Sequence, residues 1–189
     1  MSPTIIALIV LVSLAVLILF FIVGNYNRLV SVRQHLRDSW AGVDVELKRR
    51  YDLIPNLVNT VKGYASHESE TLEKVIAARN QAAGNTGSVA SQAQDETVLM
   101  GALKQLAVVV EQYPDLKANT NFQQLQHQLT DTEDRLAAAR RFYNGNAREM
   151  NTLVQQFPSN IIAGMFKFVL AEFFEIADAA VREAPKVEF

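Results

Sequence analysis

Cysteine is absent from the 189 residues, which excludes disulfides, thiolate metal sites, a cysteine nucleophile and a lipidated cysteine, and leaves stability to packing. Net charge is nearly absent as well, since 18 Lys and Arg stand against 20 Asp and Glu. No basic stripe interleaved with aromatics occurs, so nucleic acid is not an expected partner. Histidine is scarce. No Glu-x-x-His of the di-iron bundle type occurs, His67 and Glu70 stand in the inverse order, and His35 and His127 lie in polar contexts without neighbouring ligands. Gly84 and Gly87 lack both the following Lys-Ser/Thr and the preceding strand of a phosphate loop, and no serine sits in Gly-x-Ser-x-Gly. Neither catalytic residues, nor a metal, nor a cofactor is expected, and the chain reads as a non-enzyme.

What is present is unevenly placed. "TIIALIVLVSLAVLILFFIV", Thr4 to Val23, carries no charge over 20 residues, and at about 1.5 Å per residue that spans a hydrocarbon core of roughly 30 Å. A buried core helix of this length would show a polar stripe. A cleaved signal peptide would show a basic start and small residues before the cut, whereas "MSPT" has neither Lys nor Arg and Phe20 to Val23 are large. Residues 1–24 are therefore read as an uncleaved anchor in the bilayer, with Ile5, Leu8, Leu11, Leu14, Leu17, Phe20, Phe21 and Val23 among its lipid-facing side chains. Arg28, Arg33 and Arg37 follow the span and no Lys or Arg precedes it. The positive-inside rule then places residues 25–189 in the cytoplasm, as the domain of a single-pass membrane protein.

Beyond the anchor, Trp40, Val43, Leu47, Tyr51, Ile54, Val58, Val61 and Ala65 recur at intervals of three and four, one helical face, with Leu72 and Val75 following the polar "SHESE". The phase passes undisturbed through Pro55. A helix-interior proline removes a hydrogen bond and costs roughly 3 kcal/mol, so the unbroken stripe predicts one continuous helix kinked at Pro55; a fresh helix starting near Asp52 is the alternative. "AAGNTGSVASQAQD", Ala82 to Asp95, reads as a loop. Leu99, Leu103, Leu106, Val110 and Tyr113 mark a second helix ending at Pro114. Thr120 with Gln123 suggests a capping box for a third, long helix that runs to Pro158. Ser159 or Asn160 would cap a fourth, "IIAGMFKFVLAEFFEIADAAV". No period-two run appears. The fold expected is all-α, an antiparallel four-helix bundle whose first helix continues from the membrane span.

The fourth segment is apolar almost all round, so it needs more than one partner surface. It is either the bundle's central helix, a subunit interface or a membrane-contacting surface. Met165, Phe166, Phe168, Phe173 and Phe174 are the candidate interface residues, and a homo-oligomer is the expected assembly. Lys48, Arg49, Arg50 and Asp52 form a charged cluster. It reads as a solvated helix face, or else Arg49 or Arg50 pairs across the bundle with Glu111, Glu133 or Asp134.

In order along the chain stand "YNRLV", Trp40, "LKRRYDLIPNLVNTVKGYASHE", "YPDLKANTNFQQL", "RRFYN", "FPSNIIA", "FFE" and "KVEF". Together these strings resemble the LemA family over residues 25–189. The resemblance implies a membrane-anchored helical domain without known catalytic residues, with Trp40, Arg49, Arg50, Asp52, Pro55, Asn56, Tyr143 and Asn144 as structural motif residues. It also implies a suspected association with membrane organisation or with membrane proteases of the HtpX kind. Two roles follow as expectations: a scaffold at the membrane surface, or an accessory subunit of such a protease. Family members tend to repeat Tyr-Asn about seven residues after the first pair. Here Tyr143-Asn144 is followed by Met150-Asn151, so a second tyrosine hydroxyl is missing.

Overall fold

The computed structural model describes residues 2–176. They form six helices, α1 (Pro3–Lys62), α2 (Ser69–Gly84), α3 (Val89–Val110), α4 (Pro114–Lys117), α5 (Thr120–Gln155) and α6 (Ser159–Met165), with no strand among the described residues. The chain is all-α, and its first helix continues from the apolar span.

Pro55 lies inside α1, as the unbroken stripe requires. Its missing N–H would leave the Tyr51 carbonyl without its helical donor. Arg79 of α2 fills the vacancy, its Nε donating to the Tyr51 carbonyl at 3.0 Å. A charged donor contributes about 1.5–3 kcal/mol, comparable to what the proline costs. Arg79→Met is therefore expected to lower stability by about 1.5–3 kcal/mol. Pro55→Ala leaves stability unchanged or raises it, because residue 55 regains its N–H. In the Pro55→Ala background the Arg79 loss shrinks by about 1 kcal/mol or more, and a urea-unfolding double-mutant cycle reads that coupling.

The stripe does not stay on one helix past Lys62. Tyr64 and Ala65 both donate to the Val61 carbonyl, at 2.9 and 2.8 Å, closing α1 in a turn, and Leu72 and Val75 belong to the separate helix α2. The expected loop from Ala82 to Asp95 shrinks to residues 85–88, because its small residues serve packing instead. Asn85 makes the turn by accepting from the Gly87 N–H at 2.7 Å, Ser88 caps α3 by accepting from Ser91 N–H, and Gln92 and Ala93 are buried. Pro114 opens the short α4. The cap of α5 is Asn119, whose Oδ1 accepts from Phe122 N–H at 3.0 Å, in place of Thr120. Neither Ser159 nor Asn160 caps α6. The Ser159 hydroxyl turns back to the Leu153 carbonyl at 2.8 Å.

The largest departure is the fourth helix. Helix α6 stops at Met165, and residues 168–176 are not helical. The stop is a Schellman motif: Phe168 N–H reaches the Ala163 carbonyl at 2.9 Å and Lys167 N–H the Gly164 carbonyl at 3.3 Å. The left-handed residue is Lys167, at φ 56°, where glycine is the usual occupant and would have signalled the stop.

The described residues divide into two compact units, residues 2–39 with 145–171, and residues 40–144 with 172–176. In the first, Leu29, Val32, Met150, Leu153, Ile162, Ala163 and Phe168 form the core. In the second, a helical bundle is built from the α1 segment after Ser39, α2, α3, α4 and the α5 segment before Gly145. It buries Val43, Leu47, Ile54, Val58 and Val61 on α1, Leu72 and Val75 on α2, Leu99 and Leu106 on α3, and Phe122 and Leu136 on α5. The four-helix count is completed by α2, the role the sequence had given to residues 161–181, of which 177–181 lie outside the described residues.

Candidate functional site

Residues 166–176, hereafter the arm, follow α6. Between Val169 and Ile176 no backbone-to-backbone hydrogen bond occurs among the described residues. Burial recurs every third residue: Phe168 and Phe174 are buried, Ala171 is half-buried, and Val169, Leu170, Glu172, Phe173 and Glu175 are exposed. Three residues per turn is the repeat of an extended polyproline-type segment, which has no internal bonds and relies on outside partners.

In the second unit those partners are Tyr143 and Asn144. Asn144 Nδ2 donates to the Phe174 carbonyl at 3.1 Å, and its Oδ1 accepts from Phe174 N–H at 2.8 Å. A side-chain amide thus satisfies both backbone groups of one residue, as a neighbouring peptide unit would, whatever that residue's side chain. Tyr143 OH donates to the Glu172 carbonyl at 2.9 Å, and Ala90 N–H, near the start of α3, donates to the Glu172 carboxylate at 3.0 Å. The Phe174 ring, 0% exposed, meets Trp40 edge-on with centroids 5.3 Å apart, and Trp40 meets Tyr143 at 5.2 Å. Such aromatic pairs add about 0.5–1.5 kcal/mol each beyond burial.

The first unit carries the same device. Asn151 Nδ2 donates to the Ala171 carbonyl at 3.0 Å, and its Oδ1 accepts from Ala171 N–H at 2.7 Å. Phe168 packs against Tyr26 and under the Arg33 guanidinium, 4.8 Å from the ring centroid. The missing second tyrosine is explained by what stands there: Met150 is core, and Asn151 alone makes the clamp.

The second unit also buries an ion pair. Arg50 and Glu96 are both 0% exposed and joined directly, and Arg50 Nη1 donates to Glu133 at 2.7 Å. The Tyr51 hydroxyl donates to Glu96. Gln92 Nε2 reaches Tyr51 OH at 2.9 Å, the Ala82 carbonyl at 3.0 Å and Glu96 at 3.2 Å. The solvated-face reading of this cluster is thus corrected at Arg50, which the α1 stripe carries inward beside Tyr51. Arg49 does stay at the surface, paired with Glu46 at 2.9 Å. Arg50 also lines a cavity of about 650 Å³ whose walls include Leu57, Leu103, Phe122 and Leu129.

Burial pushes the Tyr51 phenol up to about 12, against the opposing influence of Arg50, and burial, then Glu172, pushes Tyr143 up to about 12. A raised folded-state pKa means that the stabilisation is complete below about pH 10, where the unfolded phenol ionises, and is lost as pH rises towards 12. Spectrophotometric titration is expected to show both phenols ionising late, together with alkaline unfolding between about pH 10 and 12; Tyr143→Phe and Tyr51→Phe each remove one late-titrating group.

Of the residues singled out from sequence, Trp40, Tyr143 and Asn144 converge on the arm. Arg50 centres the buried pair, and Pro55 is half-buried within α1, whereas Asp52 and Asn56 are exposed. The anchor residues Ile5 to Val23 are exposed along α1, where one 18-residue window is long and apolar enough to cross a membrane. Among the candidate interface residues, Phe168 and Phe174 are buried. Met165, Phe166 and Phe173 are exposed, beside Val169 and Leu170. Sequence reasoning missed Glu96, Asn151 and Arg79. Gln92 and Glu96, one helical turn apart on the face that continues into Leu99, carried the available signal for the first. Among the described residues no group of three or more His, Asp or Glu is placed to hold a metal.

Comparison with known proteins agrees with these motifs. The profile of the LemA family matches residues 39–189. Protein LemA of Metamycoplasma hominis is 26% identical over 163 residues, 84% of this chain and 73% of that protein. Magnetosome protein MamQ 2 of Paramagnetospirillum magneticum is 26% identical over 176 residues, 80% of this chain and 65% of that protein. Magnetosome protein MamQ of Magnetospirillum gryphiswaldense is 25% identical over 177 residues, covering 79% and 64%. The match thus spans just under two thirds of the length of the magnetosome relatives. None of these names is that of an enzyme. With a candidate membrane span at the head of α1, the motif residues Trp40, Tyr143 and Asn144 on the arm and the family profile running from Ser39 to Phe189, this chain is a membrane-associated member of the LemA family.

Proposed function

We propose that the chain is a non-enzymatic scaffold, anchored by α1 and self-associating at the cytoplasmic membrane surface. The observation that carries this reading is the run of exposed apolar side chains outside the span: Met165, Phe166, Val169, Leu170 and Phe173, with Val169 76% and Leu170 52% exposed. Large apolar side chains left exposed outside a membrane span, four of them within six residues of the first unit, are what an interaction site presents. Anchoring confines copies to two dimensions with their domains at one height, which raises their effective concentration without new contacts. Arg28, Arg33 and Arg37 after the span support the cytoplasmic placement. Nothing in the structure or in the relatives' names favours the protease-accessory reading.

The test is light scattering on detergent-solubilised full-length chain. Wild type is expected as a species of several copies, and Leu170→Glu as a folded, smaller one. A monomeric wild type overturns the proposal. Because the chain has no cysteine, Thr86→Cys, in the turn before α3, reads topology cleanly. It is expected to resist a membrane-impermeant thiol reagent in intact cells, and labelling without lysis would move the scaffold to the outer face.

A further inference from the structure

We infer that the arm is exchangeable: in the assembly, residues 168–176 of one copy occupy the seat of a second copy. The inference rests on the self-association proposed above and says which contact produces it. Three observations carry it. First, the arm is held by groups that a second copy offers identically. From Val169 to Ile176 its backbone makes no backbone-to-backbone bond among the described residues, and its groups at Ala171, Glu172 and Phe174 are bonded by the amides of Asn151 and Asn144 and by the Tyr143 hydroxyl. Docking in trans therefore reproduces the contacts without a new surface, which is what makes exchange of an element a low-cost route to assembly.

Second, the joint is strained. Lys167 sits in the left-handed region at φ 56°, which a residue with a Cβ enters only at a cost. The two turn bonds of the Schellman motif hold it there. An arm that swings away relaxes Lys167 into an ordinary extended conformation, so folding back in cis carries a penalty that docking in trans avoids. Third, large apolar side chains of the arm are left uncovered in the single chain. Val169, Leu170 and Phe173 are exposed, alongside Glu172 and Glu175, and exchange of arms brings a second copy against them.

Trans docking is tested with two differently tagged full-length variants, Ala90→Cys and Glu172→Cys, co-expressed and treated in intact membranes with a short bismaleimide. These positions adjoin each other, since Ala90 N–H bonds the Glu172 carboxylate. An adduct carrying both tags is expected. Adding Lys167→Gly, which relaxes the turn in place, is expected to lower its yield several-fold, and Lys167→Pro, which cannot adopt positive φ, to raise it several-fold. Light scattering on the same variants separates the two proposals. A multi-copy species that gives no adduct carrying both tags, or whose mixed adduct ignores both hinge substitutions, overturns arm exchange and leaves the scaffold standing. A monomeric chain overturns both.

Discussion

Glu96→Leu is expected to lower the free energy of unfolding by about 3–5 kcal/mol, the range for breaking a buried ion pair from one side. The size follows from what is left behind. Arg50 and Glu96 are both 0% exposed, so removing the carboxylate strands a guanidinium in the bundle interior with only Glu133, whose side chain is 40% exposed. Tyr51 OH and Gln92 Nε2 lose an acceptor at the same time. The damage comes from the unpaired charge, and a second substitution can relieve it. Arg50→Met with Glu96→Leu replaces the pair by apolar side chains of similar size, an exchange that is often neutral or better, so the double variant is expected to be more stable than Glu96→Leu alone. Urea unfolding of the full-length chain in detergent, followed by circular dichroism, measures both. A Glu96→Leu loss below about 1 kcal/mol, no more than one ordinary hydrogen bond contributes, would mean that Arg50 and Glu96 do not form a dry pair.

These two residues also show where the sequence was readable. The span, the all-α class and the passage of α1 through Pro55 were legible because each is written in a period that helices obey: an uncharged run of bilayer length, or apolar residues at three and four. Arg50 was visible as a charge but not as a core residue, because a local pattern records which face a side chain occupies and not what faces it across the bundle. Its partner Glu96, 46 positions away, lies on a helix whose start the small residues of Ala82 to Asp95 concealed. The arm was misread for a different reason. "FKFVLAEFFE" is dense enough in apolar residues to fit a helix of any phase, and its real repeat of three belongs to neither helix nor strand. The signal that ends α6 is a backbone conformation at Lys167, and lysine does not announce it as glycine would. Asn144 and Asn151 stood seven apart on one helix face, but the backbone groups they hold lie 20 or more positions on.

Asn144→Asp is expected to release the arm at neutral pH and to restore it in acid. The substitution keeps size and shape. At pH 7 the carboxylate still accepts from Phe174 N–H, but where Asn144 Nδ2 donated to the Phe174 carbonyl an anionic oxygen now opposes a carbonyl oxygen. One bond is lost and one acceptor pair is set in repulsion beside the Trp40 and Tyr143 rings. The expected loss is about 2–3 kcal/mol, or roughly a 30- to 150-fold shift in the docking equilibrium, since about 1.4 kcal/mol is tenfold. A protonated carboxyl, by contrast, offers one O–H donor and one carbonyl acceptor, the same pair that the amide presented. Docking therefore favours the neutral acid and raises its pKa above the ordinary value near 3.9. A raised pKa in the docked state means that docking is complete below the ordinary value and is lost as pH rises through the raised one. The chain reports this itself, because its one tryptophan is Trp40, edge-on to Phe174. Asn144→Asp is expected to shift Trp40 emission to the red at pH 7 and to return it towards the wild-type position between about pH 6 and 4, while Asn144→Ala, which has neither donor nor acceptor, stays shifted throughout. Emission unchanged in both variants would mean that the aromatic seat holds the arm without the amide, and a shift in Asn144→Asp that acid does not reverse would mean that the donated hydrogen bond is not what the arm lost.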